Sequence, residues 1–163
     1  MLVASGTMIG SVDEPEPVLS DDPIERRCAV RETRIRIHQA RFRGRVVPAY
    51  PEQCAIWRLK EVRLLEAAHI VGDIEEAGEP IVSNGLALCS IHHRAYDQDL
   101  VGVSPDYDVC VSPRLLEDED GPMLDLLKTF DRQPIYVPRR AEWKPDRERL
   151  ASRFDRFLTR NAV

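Results

Sequence analysis

At 163 residues, with 43% hydrophobic and 31% charged side chains, the chain has the size and composition of one ordinary globular domain with tails. No apolar run approaches the roughly 18–20 residues of a membrane span, and residues 1–25 lack the basic start and apolar stretch of a secretory leader, so a cytoplasmic protein without a membrane partner is expected. The formal net charge of −5 argues against a nucleic-acid binder only until its distribution is read: residues 1–25 carry net −6, residues 26–63 net +8, residues 64–138 net −11 and residues 139–163 net +4.

Residues 1–25 mix Pro, Gly, Ser and acids without periodicity, which predicts a disordered acidic tail. Residues 26–63 form a basic segment. Within it, AVRETRIRI (29–37) alternates Ile35 and Ile37 with Arg, the pattern of a strand. From His38 to Tyr50 the apolar positions Phe42, Val46, Val47 and Tyr50 fall at helical spacing, although Gly44 and Pro48 are costly inside a helix. A strand is expected over 62–71, ending near His69, then a Gly- and Pro-containing loop over 72–83. A second short strand is expected over 84–89, and a short helix over 90–97.

Residues 101–111 alternate around Ser104-Pro105-Asp106, a hairpin signal. A helix over 120–130 has Pro122 in its first turn. Ile135-Tyr136-Val137 reads as a short edge strand closed by Pro138. Residues 146–160 space Leu150, Phe154, Phe157 and Leu158 as an amphipathic helix. Its bases Arg147, Arg149, Arg153 and Arg156 read as half of a salt-bridged helix surface with Asp146, Glu148 and Asp155. The elements add up to a small α+β domain. Its four cysteines (Cys28, Cys54, Cys89, Cys110) are expected to be thiols or metal ligands rather than a disulfide framework.

His69 at a strand end, Asn84 at the opening of the next strand and His93 on the following helix stand at the junctions of a strand, loop, strand, helix order. With the strings LLEAAHI and SNGLALCSIHHRAYD, this layout resembles the HNH endonucleases. RIRIHQARFRGRV, GVSPDY and EDGPML resemble the flanks of bacterial proteins carrying that domain, so the likeness covers roughly residues 26–158. The resemblance implies a ββα-metal (His-Me finger) core over 64–97, flanked by the basic segment 26–63 and by a hairpin and helices over 98–163.

It further implies a metal-dependent hydrolysis of DNA phosphodiesters, with a place in restriction or defence. His69 would take a proton from water, a task suited to an imidazole with a reference pKa of about 6.5. His93 would bind the divalent cation, Mg²⁺ or a transition ion such as Mn²⁺, Ni²⁺ or Zn²⁺. Asn84 would orient the His69 backbone or approach the ion itself. Where many relatives carry an Asp or His ligand just before the base, this chain has Ala68, so either Asn84, waters and DNA phosphate complete the coordination or another acid does, with Asp73 and Asp97 as candidates.

The same resemblance implies a structural zinc site built from two Cys pairs. Here Cys89-x2-His92 is present, but the partner position of Cys54 holds Trp57, which cannot ligate. Cys54, Cys89 and His92 therefore give a degenerate three-ligand site unless Cys28 supplies the fourth. Arg34, Arg36, Arg41, Arg43 and Arg45 are the candidate DNA-docking residues, with Arg34, Arg41 and Arg45 on one helical face. The expected partner is DNA, with a homodimer left open. Ala68 and Trp57 favour the alternative, a catalytically impaired DNA- or zinc-binding module that kept the fold. An RNA-directed nuclease is a third reading.

Overall fold

The computed structural model describes residues 23–72, 75, 78–119 and 121–162, with side chains placed from Arg36 onward apart from Met123. The expected tail thus lies outside the described residues except at its end, where Pro23 opens helix α1 (Pro23–Ala49). By its internal contacts the chain divides into residues 1–34 and 35–163. The second unit holds two antiparallel strand pairs and the helices packed on them.

The strand expected over 29–37 is helix instead. The alternation rested on two isoleucines among Arg, Glu and Thr. Ile37 is exposed, so the pattern buries nothing there. The Arg- and Glu-rich context favours helix. From residue 42 onward the helix buries Phe42, Val46, Val47, Ala49 and, just past its end, Tyr50. Gly44 faces open space and Pro48 falls in the last turn, so neither breaks it.

Strands β1 (Leu65–His69) and β2 (Gly85–Cys89) pair antiparallel, with His69 opposite Gly85 and Leu65 opposite Cys89. Helix α2 (Ser90–Asp97) follows directly and completes the expected strand, strand, helix unit. Every residue of β2 is buried, and α1 packs closely at its start. A Cβ on Gly85 would sit 2.5 Å from Val46 Cγ2 and 2.9 Å from Phe42 Cζ. Glycine is present here to let the helix approach. The Tyr50 hydroxyl donates to the Gly85 carbonyl at 3.0 Å, and Arg43 donates to the Leu65 and Val62 carbonyls at 2.8 and 2.6 Å. These bonds fix α1 against both strands.

The expected hairpin is β3 (Val101–Val103) and β4 (Val109–Val111), turned by Ser104, whose Oγ accepts from the Asp106 and Asp108 backbone amides. Helix α3 (Pro113–Glu117) has no counterpart in the sequence reading, although Ser112 as cap and Pro113 at the first position are its signals. Helix α4 (Gly121–Lys128) has Pro122 in its first turn as expected. Residues 135–137 form no strand. Ile135 N donates to Tyr107 O and Tyr136 N to Ala55 O, so the segment bridges the hairpin and the loop after α1.

Helix α5 (Arg147–Asn161) is capped by Asp146 and buries Leu150, Arg153 and Phe157. Phe157 lies against Gly102. Leu158, expected on the apolar face, is half exposed, and a buried arginine takes its share of that face. The α5 arginines do not pair along their own helix as expected. Among the described residues, Arg147 meets Asp106, Arg149 meets Glu79, and Arg153, Arg156 and Arg160 meet Asp99. Helix α5 is thereby tied to the rest of the fold. No described helix is long and apolar enough to cross a membrane.

Candidate active site

His69 ends β1 and His93 lies on α2. Because α2 leaves β2 without a loop, the two imidazoles line one cleft of about 640 Å³, with Glu66, Asp97 and Gly72 beside them and Arg36, Phe42 and Arg43 from α1. The His69 ring stacks on Phe42, with centroids 3.8 Å apart and planes at 12°. Phe42 is buried, so the stack fixes the imidazole plane against a rigid helix.

His93 has a carboxylate beside each ring nitrogen. Nδ1 lies 2.5 Å from Glu66 Oε2, and Nε2 lies 3.4 Å from Asp97 Oδ2, one helical turn on. A histidine that donates from Nδ1 to a carboxylate presents its Nε2 lone pair outward, the arrangement that makes an imidazole a good metal ligand. Glu66 is a site residue that the sequence reading misses. Its one signal is a carboxylate three residues before His69 on the same strand. Asp97, a candidate by sequence, lines the cleft; Asp73 lies outside the described residues.

Asn84 is fully buried and does not line the cleft. Its Oδ1 accepts from Val71 N at 2.9 Å, and its Nδ2 donates to Val71 O at 3.1 Å and Glu79 O at 3.0 Å. Its own carbonyl accepts from Ile70 N at 3.0 Å. Both ends of the amide are engaged with backbone just beyond His69. All of these bonds are to backbone, and Asn84 is absent from the cleft lining.

Of the candidate docking arginines, Arg36 and Arg43 line the cleft, together with Gln39 and Ala40 at helical spacing. Arg41 and Arg45 are exposed but do not line it, because they fall on other faces of the same helix. The expected Arg34-Arg41-Arg45 face is therefore not the cleft face. The Arg34 side chain lies outside the described residues. Two arginines that the sequence assigns to a helix surface, Arg153 and Arg156 of α5, do line the cleft.

A second cluster lies in the core. Cys54, Cys89 and His92 bring their ligand atoms within 4.8 Å of one another, all buried, and among the described residues they are the one such group of three or more. His92 Nδ1 is 3.2 Å from Cys89 Sγ and 3.8 Å from Cys54 Sγ. The Cys54 thiol's hydrogen bond pulls the Cys89 thiol down to about 4, with His92 assisting and burial opposing. Cys54 is correspondingly raised, by the same bond and by burial. Soft donors with one sulfur already thiolate-like suit zinc. Trp57 packs edge-on against His92, with centroids 5.6 Å apart, and Phe130 does the same at 5.8 Å. The donor set thus fits three corners of a tetrahedral ion, and aromatic rings crowd around its histidine. Cys28 as a fourth ligand lies outside the described side chains.

Residues 54–104 match the family model of an HNH endonuclease. That segment contains both clusters and the whole ββα unit. Among solved structures the fold is similar to that of a modification-dependent TagI restriction endonuclease, at 18% identity and a TM-score of 0.53. The likeness covers 72% of this chain and 37% of that one, so this chain spans well under half the length of that enzyme. Among curated proteins no sequence match was found. The matched segment holds the strand, strand, helix unit, and the α+β fold around it is similar to that of the restriction endonuclease.

Proposed function

We propose that the chain is a metal-dependent HNH endonuclease hydrolysing phosphodiester bonds in DNA. The observation that carries the reading is that His69 and His93 line one open cleft, with Glu66 and Asp97 beside His93 and arginines at its walls. A module that kept only the fold has no need to keep a base, a ligand pair and an entrance together. Ala68, which favoured an impaired module, is offset by Asp97, whose Oδ2 lies close to His93 Nε2.

In this reading His69 accepts the proton of the attacking water, its ring plane held by Phe42 and its backbone by the Asn84-braced loop. His93 and Asp97 are the residues that would hold a divalent cation, and Glu66 keeps the His93 Nε2 lone pair facing outward. The ion, when bound, supplies positive charge for the phosphate oxygens and the leaving 3′ oxygen. Arg36 lies along the cleft where the flanking phosphates would run. A role in restriction or defence, and a cytoplasmic location, accord with the kind of enzyme whose fold this chain shares, and they belong to the same proposal.

The test is a supercoiled-plasmid nicking assay with Mg²⁺, Mn²⁺ or EDTA, paired with Mn²⁺ binding followed by electron paramagnetic resonance. Wild type is expected to nick only with the ion and to bind it. Asp97→Asn should weaken ion binding by roughly 10–100-fold. An absence of nicking with every ion and substrate tried, with no Mn²⁺ bound, would return the chain to the binding-module reading.

A further inference from the structure

The end of α2 and the outer half of α5 meet at one carboxylate. Asp99 stands two residues beyond Asp97 and is 3% exposed. Its φ of 54° closes α2, with its amide on Tyr96 O at 3.1 Å and the next amide, Leu100 N, on Ala95 O at 2.9 Å. Asp99 Oδ1 meets Arg153 Nη1 at 2.8 Å and Arg156 Nη2 at 3.2 Å, and Oδ2 meets Arg160 Nη1 at 2.8 Å. Asn161 Nδ2 donates to the Asp99 carbonyl at 2.9 Å. Positions 153, 156 and 160 share one helical face.

The three arginines are not equivalent. Arg153 is 5% exposed, donates to the Tyr96 carbonyl at 2.5 Å and lies over the Tyr96 ring at 4.5 Å. It is the anchor. Arg156 and Arg160 are 43% and 62% exposed. Ion pairs that open to water stabilise a fold little, typically by about 0–1 kcal/mol. A single carboxylate also cannot neutralise three guanidiniums. What the arrangement achieves is to hold two exposed cationic heads in place, against the helix that carries His93, with net positive charge left over. Arg156 lines the cleft that holds His69 and His93.

We infer that Arg156 binds a backbone phosphate of duplex DNA beside the scissile one, that Arg160 continues the same track along α5, and that Asp99 positions both. The inference rests on the nuclease reading and adds a C-terminal phosphate grip to the α1 side of the cleft. A planar guanidinium with part of its fork on Asp99 retains N–H groups for a phosphate oxygen.

The experiment is a salt titration of duplex binding in EDTA, so that nothing is cleaved, with wild type, Arg156→Gln, Arg156→Lys, Arg160→Gln and, as a remote control, Arg132→Gln. Melting temperatures and metal-dependent nicking are measured on the same preparations. Arg156→Gln should lower the slope of log K against log salt by about 0.9 and weaken unrelated sequences equally. Arg156→Lys should restore the slope. Arg160→Gln, which leaves the cleft residues intact, should also lower it, and Arg132→Gln should not. If wild type binds and nicks DNA while the Arg156→Gln and Arg160→Gln slopes are unchanged, the arginines are staples and the inference fails with the nuclease reading intact. If wild type neither binds nor nicks, both fall. Equal slope loss in Arg132→Gln would show a diffuse charge effect and overturn the assignment as well.

Discussion

The Phe42 ring lies flat against the His69 imidazole, 3.8 Å between centroids, and so a residue of the long basic helix sets the orientation of the candidate base. Aromatic contacts of this kind contribute about 0.5–1.5 kcal/mol beyond area burial. Phe42→Leu keeps most of the buried apolar volume and removes the flat surface. It should lower kcat for plasmid nicking by roughly two- to tenfold, the rate equivalent of that energy, with little change in KM. A parallel rise in KM would mean instead that the helix had shifted and that Phe42 acts on docking.

His69→Ala removes the proposed base. The expected loss is about 10²–10⁴-fold in cleavage rate. Duplex affinity in EDTA and the circular dichroism spectrum should stay close to wild type, because the side chain sits at a strand end rather than in the core. Cleavage within a few fold of wild type would remove His69 from the proposed role.

Asn84→Ala separates bracing from chemistry. It leaves the buried Val71 amide and carbonyl, and the part-buried Glu79 carbonyl, without their side-chain partner. Buried groups left unpaired cost about 1–3 kcal/mol each, so the melting temperature should drop clearly. Mn²⁺ affinity should change less than in Asp97→Asn. The reverse ranking, with Mn²⁺ binding lost and stability kept, would restore Asn84 as a ligand.

The layout of the candidate site is legible because it is local in sequence. His69, Asn84 and His93 fall at or near element ends close together in the chain, and the antiparallel register then places them without long-range information. What stays hidden depends on docking. Glu66 has no distinguishing local mark, and its relation to His93 exists only after α2 folds back on β1. Arg147, Arg149, Arg153 and Arg156 each have an acid within two residues in the sequence, the look of a mixed-charge solvated helix, yet the partner of Arg153, Arg156 and Arg160 is Asp99, far away in the chain, before the hairpin. Ile35 and Ile37 mislead in the opposite direction: two residues of alternation cannot outweigh a helix whose buried face, among the described side chains, starts at Phe42.

The core cluster yields the last prediction. Cys54, Cys89 and His92 converge, and Trp57 stands where a second thiolate of the first pair would be. Trp57→Cys should therefore act in two directions. Without metal it loses the contact of the indole with His92 and leaves a void, and large-to-small changes of an aromatic cost up to about 3–5 kcal/mol when fully buried, less for this partly buried ring. With zinc it gains a fourth ligand beside a cysteine already held near 4. Binding to the folded state alone then adds about 2.7 kcal/mol at a free ion concentration of 100 Kd. The variant should melt below wild type in EDTA and above it in excess zinc, while Trp57→Ser melts below wild type in both. Metal analysis and zinc titration of the same proteins complete the measurement. A wild type that already retains one zinc per chain through dialysis against a chelator would sink the degenerate-site account and point to a fourth ligand elsewhere in the chain. A Trp57→Cys variant with unchanged zinc affinity would show that the loop after α1 cannot present a ligand at that position.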